Sequence, residues 1–187
     1  MEEEIKKAVE VLQLGGNLLY PTDTIWGIGC DATNFRAVEK VQKLKRRTLP
    51  KPMIILVANI DMLKQYVQEI PEVAIDLIQS VTDPLTIIYP QSRNLPKNLV
   101  APDQSVAIRI PRNEFCQKLV KDFGKPITST SANISGERSP LSFSKVADEI
   151  RQGVDYVVDF RQEMINGPKP STIVRITRDG EMQILRN

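Results

Sequence analysis

Two stretches of the chain concentrate the side chains that could do chemistry. "KLKRRTLPK", residues 43–51, gathers Lys43, Lys45, Arg46, Arg47 and Lys51 around the end of a helical pattern. "PITSTSANISG", residues 126–136, holds five hydroxyls (Thr128, Ser129, Thr130, Ser131, Ser135) and the amide of Asn133. Cations at a helix C-terminus suit the helix dipole and aid solubility, so the first run reads as a solvated face. It also leads straight into the apolar "MIILV", and a strand end in an α/β sheet is where phosphates bind. Buried hydroxyls are costly without partners, so the second run needs an explanation. It is either a loop capping a helix expected over 142–150 or a comb of hydrogen-bonding teeth. Strand alternation sends Ser129 and Ser131 to one face, with Asn133 continuing them, and Thr128 and Thr130 to the other. Beside guanidinium and ammonium groups, such a comb suits a polyphosphate or a carboxylate.

Three shorter pieces repeat the theme. "PTDTIWGIGCDA" places Thr22, Asp23 and Thr24 directly after a strand, with Gly27 and Gly29 letting the backbone turn or approach a ligand. Gly27-x-Gly29-x-x-Ala32 fits the dinucleotide fingerprint only loosely, lacking the strand before it and the helix after it. A hairpin turn anchored by Trp26 is the structural alternative. "SVAIRIP" sets one cation, Arg109, in an apolar strand, and a buried arginine seldom lacks an anionic partner. "PSTIV" puts Ser171 and Thr172 at the mouth of another. Gly124-Lys125 lacks the earlier glycine of a P-loop.

Composition narrows the chemistry. The 187 residues contain no histidine, which excludes Ser-His-Asp and Cys-His nucleophiles, histidine metal sites and histidine bases. Catalysis must come from charge, hydroxyls, backbone amides or a bound cation. A net charge of +2 is too small to announce a nucleic-acid binder. No apolar run reaches the roughly 18 residues that span a bilayer. The acidic, amphipathic "MEEEIKKAVEVLQLGG" is unlike a secretory signal, and Cys30 and Cys116 have no metal-type spacing. A cytoplasmic protein is expected.

The elements that must position these residues follow from periodicity. Helices are expected over 3–14, over "NFRAVEKVQKLKRR" with Asn34 as N-cap, over "IDMLKQYV", over "PEVAIDLIQSV", over 113–122 and over "SFSKVADEI". Strands are expected at "NLLY", "MIILV", "LTIIY", "SVAIRI", 126–131, "DYVVDF", "STIVRI" and "EMQILR", the last three suggesting antiparallel pairing. This alternation predicts one α/β domain over 1–187, a mixed sheet with flanking helices.

In order and spacing, "YPTDTIWGIGCDA", "KLKRRTLPKPMIILV", "DPLTIIYP", "VAIRIP", "PITSTSANISGERSP" and "PSTIV" resemble the YrdC family, from about Val11 to Arg186. The family signature is present as Lys45-x-Arg47 and Ser131-x-Asn133. The resemblance implies a twisted sheet around a deep basic cavity and the short form without an extra C-terminal domain. It implies threonylcarbamoyl-AMP synthesis from L-threonine, bicarbonate and ATP, with Mg²⁺ on the phosphates and no metal site in the protein. A threonylcarbamoyl-transferase complex would then use the product on tRNA. Lys45 and Arg47 would hold the ATP phosphates and neutralise developing charge, with Ser131 and Asn133 opposite. Lys51, Ser105, Ser139 and Arg186 would complete the nucleotide site. Thr24, Arg109, Ser129 and Ser171 would hold threonine, Arg109 taking its carboxylate. Trp26 stands where relatives commonly have tyrosine, Leu56 where many have histidine, and Asp83-Pro84 where many have Gly-Pro. The alternatives are a carbamoyl-adenylating relative with another substrate and a paralogue that grips tRNA or duplex RNA, against which the low aromatic content of 5% argues.

Overall fold

The computed structural model describes residues 1–47, 52–163 and 170–186. Helix α1 (Glu2–Gln13) opens on Glu2, Glu3 and Glu4, which favour the positive end of its dipole, and buries Ile5, Ala8 and Leu12. Gly15, at φ +77°, turns the chain into β1 (Asn17–Tyr20). An antiparallel hairpin returns as β2 (Gly27–Cys30), a strand that lies within the glycine-containing segment expected to be a turn. Gly29 is needed there for space: a Cβ would stand 2.6 Å from the Thr128 carbonyl and 2.7 Å from the Tyr20 ring.

Asn34 caps α2 (Phe35–Leu44) by accepting from the Arg36 and Ala37 amides. After β3 (Ile54–Leu56), the helix expected over "IDMLKQYV" is a single turn, α3 (Ile60–Leu63), followed by α4 (Glu72–Ser80). Then come β4 (Leu85–Tyr89), β5 (Val106–Arg109), α5 (Glu114–Phe123), ended by the left-handed Gly124, and β6 (Ile127–Ser131). The helix expected over "SFSKVADEI" is broken into a 3₁₀ turn, Phe143–Lys145, and α6 (Asp148–Gly153). Val146 and Ala147 are extended between them, and Val146 is buried in the core. The chain ends through β7 (Tyr156–Val157), β8 (Thr172–Ile176) and β9 (Met182–Arg186).

Among the described residues these strands form one mixed sheet in the order β7-β1-β2-β6-β3-β5-β4-β8-β9. Only β8 and β9 of the last three pair antiparallel; β7 lies at the far edge, parallel to β1, and β8 runs parallel to β4. Two apolar cores cover the sheet. Leu18, Tyr20 and Leu56 join Ile5, Leu12, Phe115, Leu119 and Val120 of α1 and α5. Leu19, Ile28 and Ile55 join Val38 and Val41 of α2 and Ile150 of α6. Each such fully buried side chain stabilises the fold by about 1.5–3 kcal/mol. With both faces covered, polar groups converge at strand ends. No helix among the described residues is long and apolar enough to cross a membrane.

Candidate active site

A cavity of about 560 Å³ opens where the ends of β2, β6 and β3 meet the flanks of β4, β5, β8 and β9. Three guanidinium groups line it: Arg47, Arg109 and Arg186. Hydroxyls from Thr22, Thr24, Ser129, Thr130, Ser131, Ser139 and Ser171 fill the spaces between them, and no carboxylate lines it among the described residues. The surroundings favour an anionic, hydrogen-bonding guest.

One wall comes from β6 and the end of α2. Arg47 donates to Thr130 Oγ1 at 3.0 Å, and burial lowers the pKa of its guanidinium. Thr128 has no part in the cavity: fully buried, it accepts from the Cys30 amide at 3.0 Å. Thr130 does line the cavity, contrary to simple alternation. The reason lies in the pairing: β3 covers β6 only as far as Ser129, so Thr130 lies beyond it and reaches Arg47.

A second wall is built on Arg109, which is 4% exposed. Its Nη1 lies 3.3 Å from Asp23 Oδ1 and donates to Thr24 Oγ1 at 3.3 Å, while its Nε is buried with no hydrogen-bond partner among the described residues. Thr24 in turn shares a 3.0 Å hydrogen bond with Thr22 Oγ1. A third wall pairs the last two strands: Arg186 donates to the Ser171 carbonyl at 3.0 Å and to Ser171 Oγ at 3.2 Å. Ser171 Oγ also meets Thr86 Oγ1 at 2.9 Å. Burial first, and then the charge of Arg109, lower the Arg186 pKa, as expected of cations that converge on one cavity.

The remaining expected residues lie elsewhere. Lys45, 2% exposed, does not line the cavity; its Nζ donates to the backbone carbonyls of Ser131 and, at 2.6 Å, of Asn133. Burial, with the Arg47 charge behind it, pushes its pKa down to about 7. The Asn133 amide donates to the Ile134 and Glu137 carbonyls, shaping its own turn, and its Oδ1 is left buried without a partner among the described residues. Ser105 bonds Asp103 at 2.6 Å and lines a neighbouring hollow of about 260 Å³, which shares Ile88 with the cavity. Lys51 lies outside the described residues. Leu56 is fully buried in the core with Tyr20 and Phe115 and does not line the cavity.

Three contributors stood within the quoted motifs but were given no role in the site: Thr22, Thr130 and Asp23. The last carried a usable signal. A lone arginine in an apolar strand needs an anion, and "PTDT" offers a carboxylate at a neighbouring strand end.

Comparison with known proteins places this arrangement. The Sua5/YciO/YrdC family model, described as telomere recombination, matches residues 10–187. The chain belongs to this family. A threonylcarbamoyl-AMP synthase of Pseudoalteromonas translucida is 33% identical over 175 residues, covering 92% of each chain. The structure of Pyrococcus abyssi Sua5 complexed with L-threonine covers all of this chain with a TM-score of 0.90 at 30% identity. This chain spans 54% of that one, so the likeness is to part of a longer protein. E. coli YciO, at 23% identity, shares the fold with a TM-score of 0.85, covering all of this chain and 89% of its own.

Proposed function

We propose that the protein is a threonylcarbamoyl-AMP synthase, joining L-threonine, bicarbonate and ATP into threonylcarbamoyladenylate with release of pyrophosphate. The observation that carries this reading is the gathering of Arg47, Arg109 and Arg186 with a set of hydroxyls in one cavity without carboxylates among its described lining. Two different anions must meet there, and each wall offers one of them a partner. Arg109, with Thr24 and Ser129, takes the threonine carboxylate. Arg47, Ser131, Ser139 and Arg186 take the triphosphate. Relatives carrying the synthase name, one of them solved with L-threonine, support the same assignment.

The chemistry needs no nucleophilic side chain. The threonine amine, once deprotonated, adds to bicarbonate with loss of water to form a carbamate. A carbamate oxygen then attacks the α-phosphorus as the bond to the pyrophosphate oxygen breaks, and that oxygen keeps the electron pair. The barrier is the approach of two anions, and fixed guanidinium groups lining the cavity lower it most. Aligning the reactants supplies up to about 7–11 kcal/mol more. A divalent ion would arrive on the ATP phosphates as part of the nucleotide substrate. Cys30 and Cys116 are buried free thiols, in keeping with a reducing cytoplasm, where a transferase acting on tRNA would consume the adenylate.

Incubation with ATP, threonine and bicarbonate, followed by mass detection, is expected to reveal the adenylate only when all three are present. Arg47→Ala is expected to lower its formation by about 100- to 1,000-fold with the fold intact. Pyrophosphate release that needs neither threonine nor bicarbonate refutes the reading.

A further inference from the structure

We infer that Lys45 works through the chain rather than on the nucleotide: it is a positioning residue that clamps the Ser131–Glu137 turn to the end of α2, so that Ser131 and Arg47 share the cavity. The inference deepens the proposed function and rests on the cavity being the adenylating site. Its basis is a set of contacts made by both ends of one residue. The Lys45 ammonium donates to the carbonyls of Ser131 and Asn133, and the Lys45 carbonyl accepts from the Ser135 amide at 2.9 Å. Side chain and main chain thus grip the same turn at three points.

The neighbours explain why Lys45 turns inward while Arg47 faces the cavity. Arg46 lies in the left-handed region at φ +51°, with its amide bonded to the Lys43 carbonyl at 2.9 Å and the Arg47 amide to the Gln42 carbonyl at 3.0 Å. This is the Schellman ending of a helix, with arginine in the place glycine usually takes. The reversal at Arg46 separates the two flanking side chains. A salt bridge from Arg46 to Glu149 of α6, at 2.7 Å, adds to the hold on that turn. Two of the N–H groups on Lys45 Nζ are already committed to carbonyls, and the depressed basicity of the group is what burial without a facing anion produces. Even as a neutral amine it keeps two donors for two carbonyls.

Two variants test the clamp from opposite sides. Lys45→Met removes the donors and keeps the stem. Ser135→Pro removes the main-chain N–H that reaches the Lys45 carbonyl, together with a hydroxyl that does not line the cavity. Proline suits that position: Glu137 bonds back to Ile134 at 3.1 Å and Gly136 has φ +94°, which makes Ser135 the second residue of a type II turn. In hydrogen exchange of the ligand-free protein, both variants are expected to speed exchange across 131–137 by about tenfold or more, with α5 unchanged. Both are expected to lower kcat by about tenfold or more while leaving the KM for ATP within about threefold. The double variant is expected to be no worse than the poorer single one, because both break one clamp. The salt dependence of pyrophosphate binding is expected to stay as in the wild type. Wild-type exchange of 131–137 in Lys45→Met overturns the inference. So does a Ser135→Pro enzyme of normal turnover beside a crippled Lys45→Met, or a lost salt response in Lys45→Met alone. The exchange measurement needs no turnover, so it decides the clamp even where the wild type makes no adenylate.

Discussion

At the scale of single residues, charge placement governs this molecule. Arg109 is compensated by Asp23, while its buried Nε has no hydrogen-bond partner among the described residues. Lys45 carries a cost that pH reveals. Its pKa falls from 10.5 to about 7 on folding, so between those values the unfolded chain binds more protons than the native one. The contribution of Lys45 to unfolding free energy therefore rises with pH from 7 towards 10.5 and is absent below 7, where the charge must be buried. Urea unfolding at pH 6.5, 7.5 and 8.5, below the range where the buried thiols of Cys30 and Cys116 act in the opposite sense, is expected to show this rise in the wild type and a flatter profile in Lys45→Met. Equal slopes in the two proteins refute the assignment.

At the scale of elements, the site depends on how closely β6 lies against its neighbours. Gly29 of β2 sits where a methyl group would press on the Thr128 carbonyl at 2.6 Å and the Tyr20 ring at 2.7 Å. The ring can shift, whereas the carbonyl belongs to the sheet and holds the Tyr20 hydroxyl at 3.1 Å. Gly29→Ala is thus expected to destabilise the fold by about 1–3 kcal/mol, read as a lower urea midpoint at unchanged m-value. Most elements were legible in the sequence, since α1, α2 and α5 carry their apolar spacing and α2 and α5 their asparagine caps. The exceptions have local causes. The helix expected over 142–150 breaks because burying Val146 extends the backbone there, and tertiary packing overrides helical spacing. β2 was missed because two glycines in four residues read as a turn, while their real use is to admit neighbouring backbone and ring.

At the scale of the whole molecule, the cavity joins the two halves of the sheet, with Gly27, Ser129 and Ser131 on one side and Arg109, Ser171 and Arg186 on the other. A guest bound across it stabilises the folded chain as a unit. Pyrophosphate with L-threonine, each at about 100 times its dissociation constant, is expected to add about 2.7 kcal/mol per ligand. For a chain of this size each kcal/mol raises Tm by about 2–4 °C. In a thermal-shift experiment, Arg109→Gln is expected to lose the threonine increment and keep that of pyrophosphate. Loss of both, or of neither, refutes the division of the cavity into two anion sites.

By itself, the sequence determined the chemical class of the protein. A chain without histidine, with Lys45-x-Arg47 and the Ser131-x-Asn133 comb in ordered blocks, points to anion recognition by charge and hydroxyls, because those are the groups it has. Only the tertiary structure decided which of them face the guest. Arg47 and Lys45 stand two positions apart, yet the left-handed turn at Arg46 accompanies one into the cavity and the other onto backbone carbonyls. Asp23 and Arg109, 86 positions apart, meet because β1, β2 and β5 belong to one sheet. Residue type is local information, whereas the direction of a side chain depends on which strands happen to cover it.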